Sequence, residues 1–522
     1  MNNSRVLRYA SFILILVVAA CQISNPVDAA EYSGTAYIAE KTLPATVLVY
    51  SVLEYGAKVY IPWDTGAEEY TVENSLSSMG SGFFVNPEGY IITNGHVVFC
   101  FESSNYKDDM ITKNQILQDA NNLLIEYVQG YEGYQFTQED LTIIMEYNLE
   151  NGVVDNSYRS AYIVLGEATG NIIEAKLGYS ATVVASDPFI GRDLALLKTE
   201  LKHTPSLIIA EDPEEVSVGE EVFAIGYPGV ATFHPLLSEN TLLVPSLTMG
   251  IVSAKRLTAK HIGAIQHSAE VTHGNSGGPL VDKEGEVIGV NNMGSITELG
   301  IEVAGFNFAI ANNVLLDFLK ENGVENAVGM TTTEYEKGLA YYYANMYGSA
   351  KKQFQDVAAI FTYHWRAQQL TQECQSKILK GENAESEISL MVSPTEATAE
   401  EEVKVSGTLS HSSEMPIPVE IKWPNAAITI EYTKPDGTKL TKTAIASNDG
   451  SFDESFTPDT DGDWSVTASW EGSEDHAGAT SQTANLSVQK ASKGSIPGFP
   501  FESIILGILA GVLMLWLLQR RG

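Results

Sequence analysis

Ser276 stands in "HGNSGGPL" (273–280), one hydroxyl among Gly274, Gly277 and Gly278. Glycine suits strained turns and close approach of backbone to a ligand. A nucleophilic serine needs both, because its own N–H and that of the residue two positions earlier can converge on a developing oxyanion. A glycine-rich β-turn with no chemistry would read the same in isolation. Upstream, "TNGHVV" puts His96 just after an apolar strand, and "GRDLALLK" puts Asp193 just before another. A serine needs a base, and the base needs a carboxylate to fix its tautomer and stabilise the imidazolium. Alone, His96 reads as a structural histidine and Asp193 as a cap or ion-pair member; together they make the set expected for acyl transfer. His234, His261, His267 and His273 show no metal-ligand spacing. No cofactor is implied.

The elements that must hold these residues are short and β-rich. "LPATVLVYSVL" (43–53) reads as a first strand, and "GSGFFVNPEGYIITNGHVV" (80–98) as two strands joined by a turn. Further runs are "SAYIVLG", "ATVVAS", "LALLKT", "EVFAIGYPG", "LTMGIVSAKRL", "GEVIGVNNMG" and "GFNFAIA". Many short strands with Gly and Pro between them predict a barrel or sandwich. Between them, about 101–150, apolar residues recur at threes and fours, which predicts two helices inserted into the β-domain. A short amphipathic helix over 312–324 closes the domain.

The chain order His, Asp, Ser is that of the chymotrypsin type, and differs from the subtilisin and α/β-hydrolase orders. With "GSGFFV", "GYIITNGHVV", "DLALLK", "AIGYPG", "GIVSA", "GNSGGPL", "VIGV" and "GFNFAIA" in sequence, residues 43–322 resemble the trypsin-like core of HtrA/Deg serine proteases. The resemblance implies a mainly β, chymotrypsin-like double β-barrel over 36–325. It implies His96 as general base, Asp193 as its orienter and Ser276 as nucleophile, with an oxyanion hole from the N–H groups of Gly274 and Ser276. It also places Glu270, six residues before the nucleophile, at the base of the substrate pocket. There a carboxylate would favour Lys or Arg, unless it turns away to pair with Lys255 or Arg256. The spacing departs from the family's: 97 residues separate His96 from Asp193, and the helical insertion fills the excess. The PDZ modules that often follow such a core are absent from the pattern.

Beyond the core, 330–382 is helical in period, and Gly338, Tyr341, Ala350 and Phe354 fall at spacings that resemble one tetratricopeptide unit; a generic helical hairpin fits equally. One such unit cannot bury both its faces, so it is expected to pack on the β-domain. Residues 387–489 alternate apolar and polar with regular turn signals, the pattern of an immunoglobulin-like sandwich. Trp464 and Trp470 are expected in its core. "DTDGD" (459–463) misses the full calcium-loop spacing and reads as a turn.

Both ends are apolar. Arg5 and Arg8 precede "ASFILILVVAA", a signal-peptide pattern with cleavage expected before Ala30; "VAAC" offers lipidation at Cys21 as the competing site. A linker (490–502) leads to an expected transmembrane anchor over 503–519. Pro497-Gly498-Phe499, the apolar run and Arg520–Arg521 resemble the PGF C-terminal sorting signals of archaeal surface proteins. By the positive-inside rule the arginines stay cytoplasmic, which places the rest outside the cell. Cys100 and Cys374 could pair there, although spacing does not establish it. The net charge of −35 excludes nucleic acid as a partner.

The expectation is therefore a membrane-anchored, extracellular serine endopeptidase acting on polypeptides, with homo-oligomerisation left open. The alternative is a surface adhesion or scaffold protein whose protease fold has lost activity.

Overall fold

The computed structural model describes residues 34–99, 110–166, 178–188, 191–212, 216–229, 243–296, 302–413, 419–491 and 501–520. The expected signal peptide, Cys21, Cys100 and most of the 490–502 linker lie outside them. The chain divides into two units, one built on residues up to Gly381 and one from Glu382 onward.

The first unit contains two closed six-stranded antiparallel barrels. Barrel one joins β1 (Thr46–Trp63), β2 (Gly66–Phe84), β3 (Tyr90–Thr93), β4 (Val153–Val164), β5 (Tyr179–Ser186) and β6 (Ala195–Thr199), in the order β1-β2-β3-β6-β5-β4. Barrel two joins β7 (Glu221–Gly226), β8 (Ser246–Leu257), β9 (Gly263–His267), β10 (Pro279–Val281), β11 (Val287–Ile296) and β12 (Glu302–Ala311), in the order β10-β11-β12-β9-β8-β7. The interior is apolar and β-branched, as closure demands: Val47, Val49, Ile91, Ile163, Ala195 and Leu197 in the first, Val222, Ala224, Val252, Ile265, Leu280 and Ile288 in the second. Two closed barrels match the double β-barrel expected of residues 36–325.

The first strand runs well past the predicted 43–53. β1 and β2 form a ladder from Thr46↔Phe83 to Trp63↔Gly66. The far half of this hairpin carries Leu53, Tyr55, Ala57, Val59 and Ile61 on one face, and the insertion covers them. The insertion is two helices, Met110–Tyr127 and Gln138–Asn151. Ile116, Leu117, Ala120 and Leu124 of the first pack into that face. Thr137 caps the second in a reciprocal box with Asp140, satisfying donors that a helix start leaves open. Where the chain leaves His96 toward the insertion, Arg159 of β4 holds the carbonyls of Val98 and Phe99, both at 3.0 Å.

After a closing helix, Asn312–Glu321, the predicted hairpin proves to be three helices: Met330–Tyr343, Tyr347–Ile360 and Trp365–Lys380. The third buries Ala367, Leu370 and Cys374 against Tyr335, Leu339 and Phe354, and so supplies the neighbour that two helices alone lack. A Cβ at Gly338 would sit 2.6 Å from the Phe354 ring, so glycine lets these helices approach. The three helices pack on the barrel unit: Arg366 grips Glu40 with two bonds of 2.6 Å, and Thr331 donates to the His203 carbonyl at 2.6 Å. Burial pushes the Cys374 thiol up to about 12.

The second unit holds two sheets around one core. β13 (Ser386–Ser393), β15 (Val403–His411) and β18 (Ser451–Phe456) form the smaller. The larger is ordered β14-β21-β19-β16-β17, from β14 (Glu396–Thr398), β16 (Ala427–Thr433), β17 (Lys439–Ile445), β19 (Gly462–Gly472) and β21 (Ala484–Gln489), with β20 (Ala477–Thr480) paired to β19. Trp464 is buried in the shared core, and Trp470 packs partly buried at its margin. Residues 501–519 form one helix whose side chains from Leu506 to Leu518 are exposed. Among the described residues no helix is long and apolar enough to cross a membrane. The expected anchor over 503–519 is therefore not supported among the described residues.

Candidate active site

His96 follows β3 through Asn94 and Gly95, in a single turn of 3-10 helix. A Cβ on Gly95 would lie 2.0 Å from the Asp187 carbonyl, so only glycine lets the turn come this close to the Asp193 loop. Asp193 precedes β6 and adopts φ +50°, a left-handed conformation that Asp tolerates better than most residues. Asn94 pins it by donating to its carbonyl at 2.8 Å. The Asp193 carboxylate is fully buried and grips His96 twice. Oδ1 accepts the His96 backbone N–H at 2.9 Å, and Oδ2 meets Nδ1 at 2.8 Å. An ionised carboxylate only accepts, so Nδ1 carries the proton and Nε2 is left as the basic nitrogen. The ring remains partly open to solvent, at 36% side-chain exposure, which a group that must meet substrate requires.

Ser276 comes from the other barrel, in the loop between β9 and β10. Gly274 (φ +101°) and Gly277 (φ +87°) supply left-handed turns. A Cβ would meet the Tyr227 carbonyl at 2.3 Å from Gly274, the Ser81 carbonyl at 2.2 Å from Gly277 and the Ile225 carbonyl at 2.1 Å from Gly278. All three glycines are thus required by close backbone approach, which answers why they surround one hydroxyl. The His273 carbonyl accepts the Gly229 N–H at 2.7 Å. That bond turns the 273–274 peptide so that the Gly274 N–H faces away from it. Among the described residues no acceptor takes the N–H of Gly274 or of Ser276. Two unengaged donors flanking a nucleophile are what an oxyanion would need. The Ser276 hydroxyl itself donates to the Asn292 carbonyl at 2.8 Å.

Ser81 was not singled out by sequence reasoning, yet it joins the two halves. Its N–H donates to the Ser276 carbonyl at 2.7 Å, and its hydroxyl donates to the Gly274 carbonyl at 2.6 Å. The same hydroxyl accepts the Tyr227 N–H at 2.8 Å, while the Ser81 carbonyl accepts Thr93 Oγ1 at 2.7 Å. The only sequence signal was a small polar residue between Gly80 and Gly82. Asn291 similarly closes the loop from behind: its carbonyl accepts the Gly277 N–H at 2.7 Å and its N–H donates to Gly278 at 2.9 Å.

Glu270 lies differently from the expectation of a buried carboxylate. Its residue is exposed, and its backbone carbonyl accepts Thr248 Oγ1 at 2.7 Å. Arg256 bonds Gln266 instead of Glu270, and the Glu270 carboxylate has no partner among the described residues. Left in water, it incurs no desolvation cost that a partner would have to offset. Among the described residues no cluster of side chains could hold a metal ion.

Comparison with known proteins adds the following. A family model described as a trypsin-like peptidase domain matches residues 148–290, a stretch that includes Asp193 and Ser276 and begins after His96. A probable periplasmic serine endoprotease, DegP-like, of Pseudomonas putida (strain GB-1) is 28% identical over 276 residues, covering 51% of this chain and 41% of that protein. Serine protease HTRA1A of Danio rerio is 33% identical over 169 residues, 31% of each chain. The solved HtrA-type protease AlgW with decapeptide aligns over 55% of this chain and 67% of its own, at 21% identity and a TM-score of 0.32. The chain spans less than half the length of these curated relatives. It carries a trypsin-like peptidase domain, and HtrA- and DegP-type serine proteases are among its relatives.

Proposed function

We propose that this protein is a serine endopeptidase that hydrolyses polypeptides through an acyl-enzyme, with His96, Asp193 and Ser276 as its triad. The observation that carries the reading is the double grip of buried Asp193 on His96, combined with two unengaged N–H groups beside Ser276. In the reaction the Ser276 hydroxyl leaves the Asn292 carbonyl by rotation about its side chain and gives its proton to His96 Nε2. Its oxygen attacks the scissile carbonyl, and the N–H groups of Gly274 and Ser276 receive the oxyanion. His96 then protonates the departing amine, and water repeats the sequence on the ester. Asp193 stays ionised throughout and holds the imidazolium.

The placement we infer is the outer face of a cell membrane. The signal pattern at residues 1–29 supports it, as does the uncharged run Ile504–Leu518 followed by Arg520 and Arg521. The immunoglobulin-like reading of 387–489 rests on its two sheets and shared core. Along the chain, the three helices and that unit come between the trypsin-like domain and the apolar C-terminal run.

A fluorophosphonate probe tests the activity. The parent protein labels at Ser276, and Ser276→Ala neither labels nor cleaves casein, with turnover lower by about 10⁶. Absence of label on the folded parent would instead establish an inert scaffold with a protease fold.

A further inference from the structure

The first insertion helix turns its apolar side to the β1–β2 hairpin, and its other side carries a row with a different chemistry. Gln115, Gln118, Asp119, Asn122 and Glu126 recur at intervals of three, four and seven, which puts them on one face. None is apolar and none is basic. Gln115, Gln118, Asp119 and Asn122 line a cleft together with Leu76, Ser77 and Ser78 of β2, Phe99 and His96. Asn122 also lines the next groove, between the two insertion helices, together with Glu126 and Gln129. The row therefore runs from the proposed general base outward along the helix.

Asp119 is the fixed point of that row. Its Oδ2 accepts Tyr55 Oη at 2.5 Å and Asn74 Nδ2 at 2.9 Å. Its Oδ1 has no partner among the described residues. Tyr55 is reached through burial, and its phenol is pushed well above its ordinary range, first by that burial and then by Asp119 itself, so it stays a donor. Two donors thus orient the carboxylate while one oxygen remains for something else. A carboxylate positioned beside side-chain amides suits a polypeptide: the amides bond its backbone, and the carboxylate takes a Lys or Arg side chain in a charge-assisted bond.

We propose that this face of the insertion is a binding site for the substrate segment carboxy-terminal to the scissile bond, selecting a basic side chain within its first few residues. The side follows from chemistry. His96 hands its proton to the leaving amine, so the chain that departs with that amine lies on the side of His96 and of barrel one. Glu270 and Asn292, from barrel two, lie with Ser276. The inference rests on the endopeptidase reading, and its test is built so that the two can fail separately.

A random peptide library is digested with the full-length parent, and cut sites are mapped by mass spectrometry. Lys and Arg should be enriched several-fold within the first few residues after the cut. Asp119→Asn and Gln118→Lys should bring that enrichment to near unity. Gln118 is exposed, so its variant tests the site while leaving the Tyr55–Asp119–Asn74 contacts intact. Independently of catalysis, fluorescein-labelled octapeptides are titrated into the full-length Ser276→Ala protein. A Lys-bearing peptide should bind about tenfold more tightly than its Ala counterpart at low salt, with the gap narrowing as salt screens it. Either substitution should close that gap. Enrichment that is missing in the parent, falls only before the cut or survives both substitutions overturns the site. Failure of the parent to label with fluorophosphonate, while the peptide preference persists in the binding arm, removes the protease reading and leaves the site.

Discussion

Barrel one contributes to the active site through side chains. Asp193 holds both the backbone and the ring of His96, Asn94 holds Asp193, and Thr93 holds Ser81. Barrel two contributes, besides the Ser276 hydroxyl, through backbone. A Cβ on any of its three glycines would lie 2.1–2.3 Å from a carbonyl oxygen, and the donors it presents are peptide N–H groups. The two halves should therefore break differently. Damage to the first is a loss of charge or tautomer at unchanged geometry, and damage to the second is a change of geometry at unchanged charge.

The largest effect expected from this contrast is at Asp193. Asp193→Asn presents an amide where the ring needs an acceptor and favours the wrong tautomer, so kcat should fall by about 10⁴. Steady-state kinetics with a chromogenic peptide measure it, and thermal stability measured in parallel shows that the fold survives. Gly274→Ala should cost less, about 10²–10³ in kcat, because one oxyanion donor is lost. A Cβ there cannot coexist with the Tyr227 carbonyl, so the 273–274 peptide must turn and the His273–Gly229 bond breaks with it. If Gly274→Ala lowers kcat no further than tenfold, the N–H of residue 274 is not an oxyanion donor.

The smallest effect is on stability and sharpens the contrast by acid. His267 of barrel two is buried, and its imidazole is held down to about 4; His364, at the start of the third helix of the 330–380 segment, is buried and held down to about 3. Both fall because burial penalises the charged ring. The folded state thus resists a proton that the unfolded chain accepts near 6.5. Stability is complete above that value and is lost as pH falls from about 6.5 toward 4, by roughly 3 kcal/mol for His267. Melts between pH 7 and pH 4 should show Tm falling, and His267→Gln should reduce the slope.

Much of the proposed triad was legible because chemistry restricts residue types. Ser276 needed glycines, His96 and Asp193 needed strand ends, and their order fixed the topology type. The rest was hidden for physical reasons. "AEEYTVENSLSS" carries too few apolar residues to read as strand, since this half of β2 keeps one face in water. The third helix was merged into a hairpin because Phe361–His364 separates it by a turn with no Gly or Pro to mark a break. The offset of Glu270 to Ser276 left open whether its carboxylate fills the pocket or turns away, because offset places a backbone and does not determine which way a side chain leaves it; the residue is exposed. Ser81 makes its contacts across 193 residues to Gly274 and 146 to Tyr227, distances at which local pattern says nothing.

The division of the triad between barrels has a mechanical corollary. Two hydrogen bonds tie His96 to Asp193 on one barrel, whereas Ser276 sits on the other, and Ser81 bonds across to its loop. Sliding one barrel against the other by an ångström opens the gap between nucleophile and base and leaves the imidazole–carboxylate pair undisturbed. A small molecule wedged into that seam would separate the proposed nucleophile from its proposed base without touching any of the three residues.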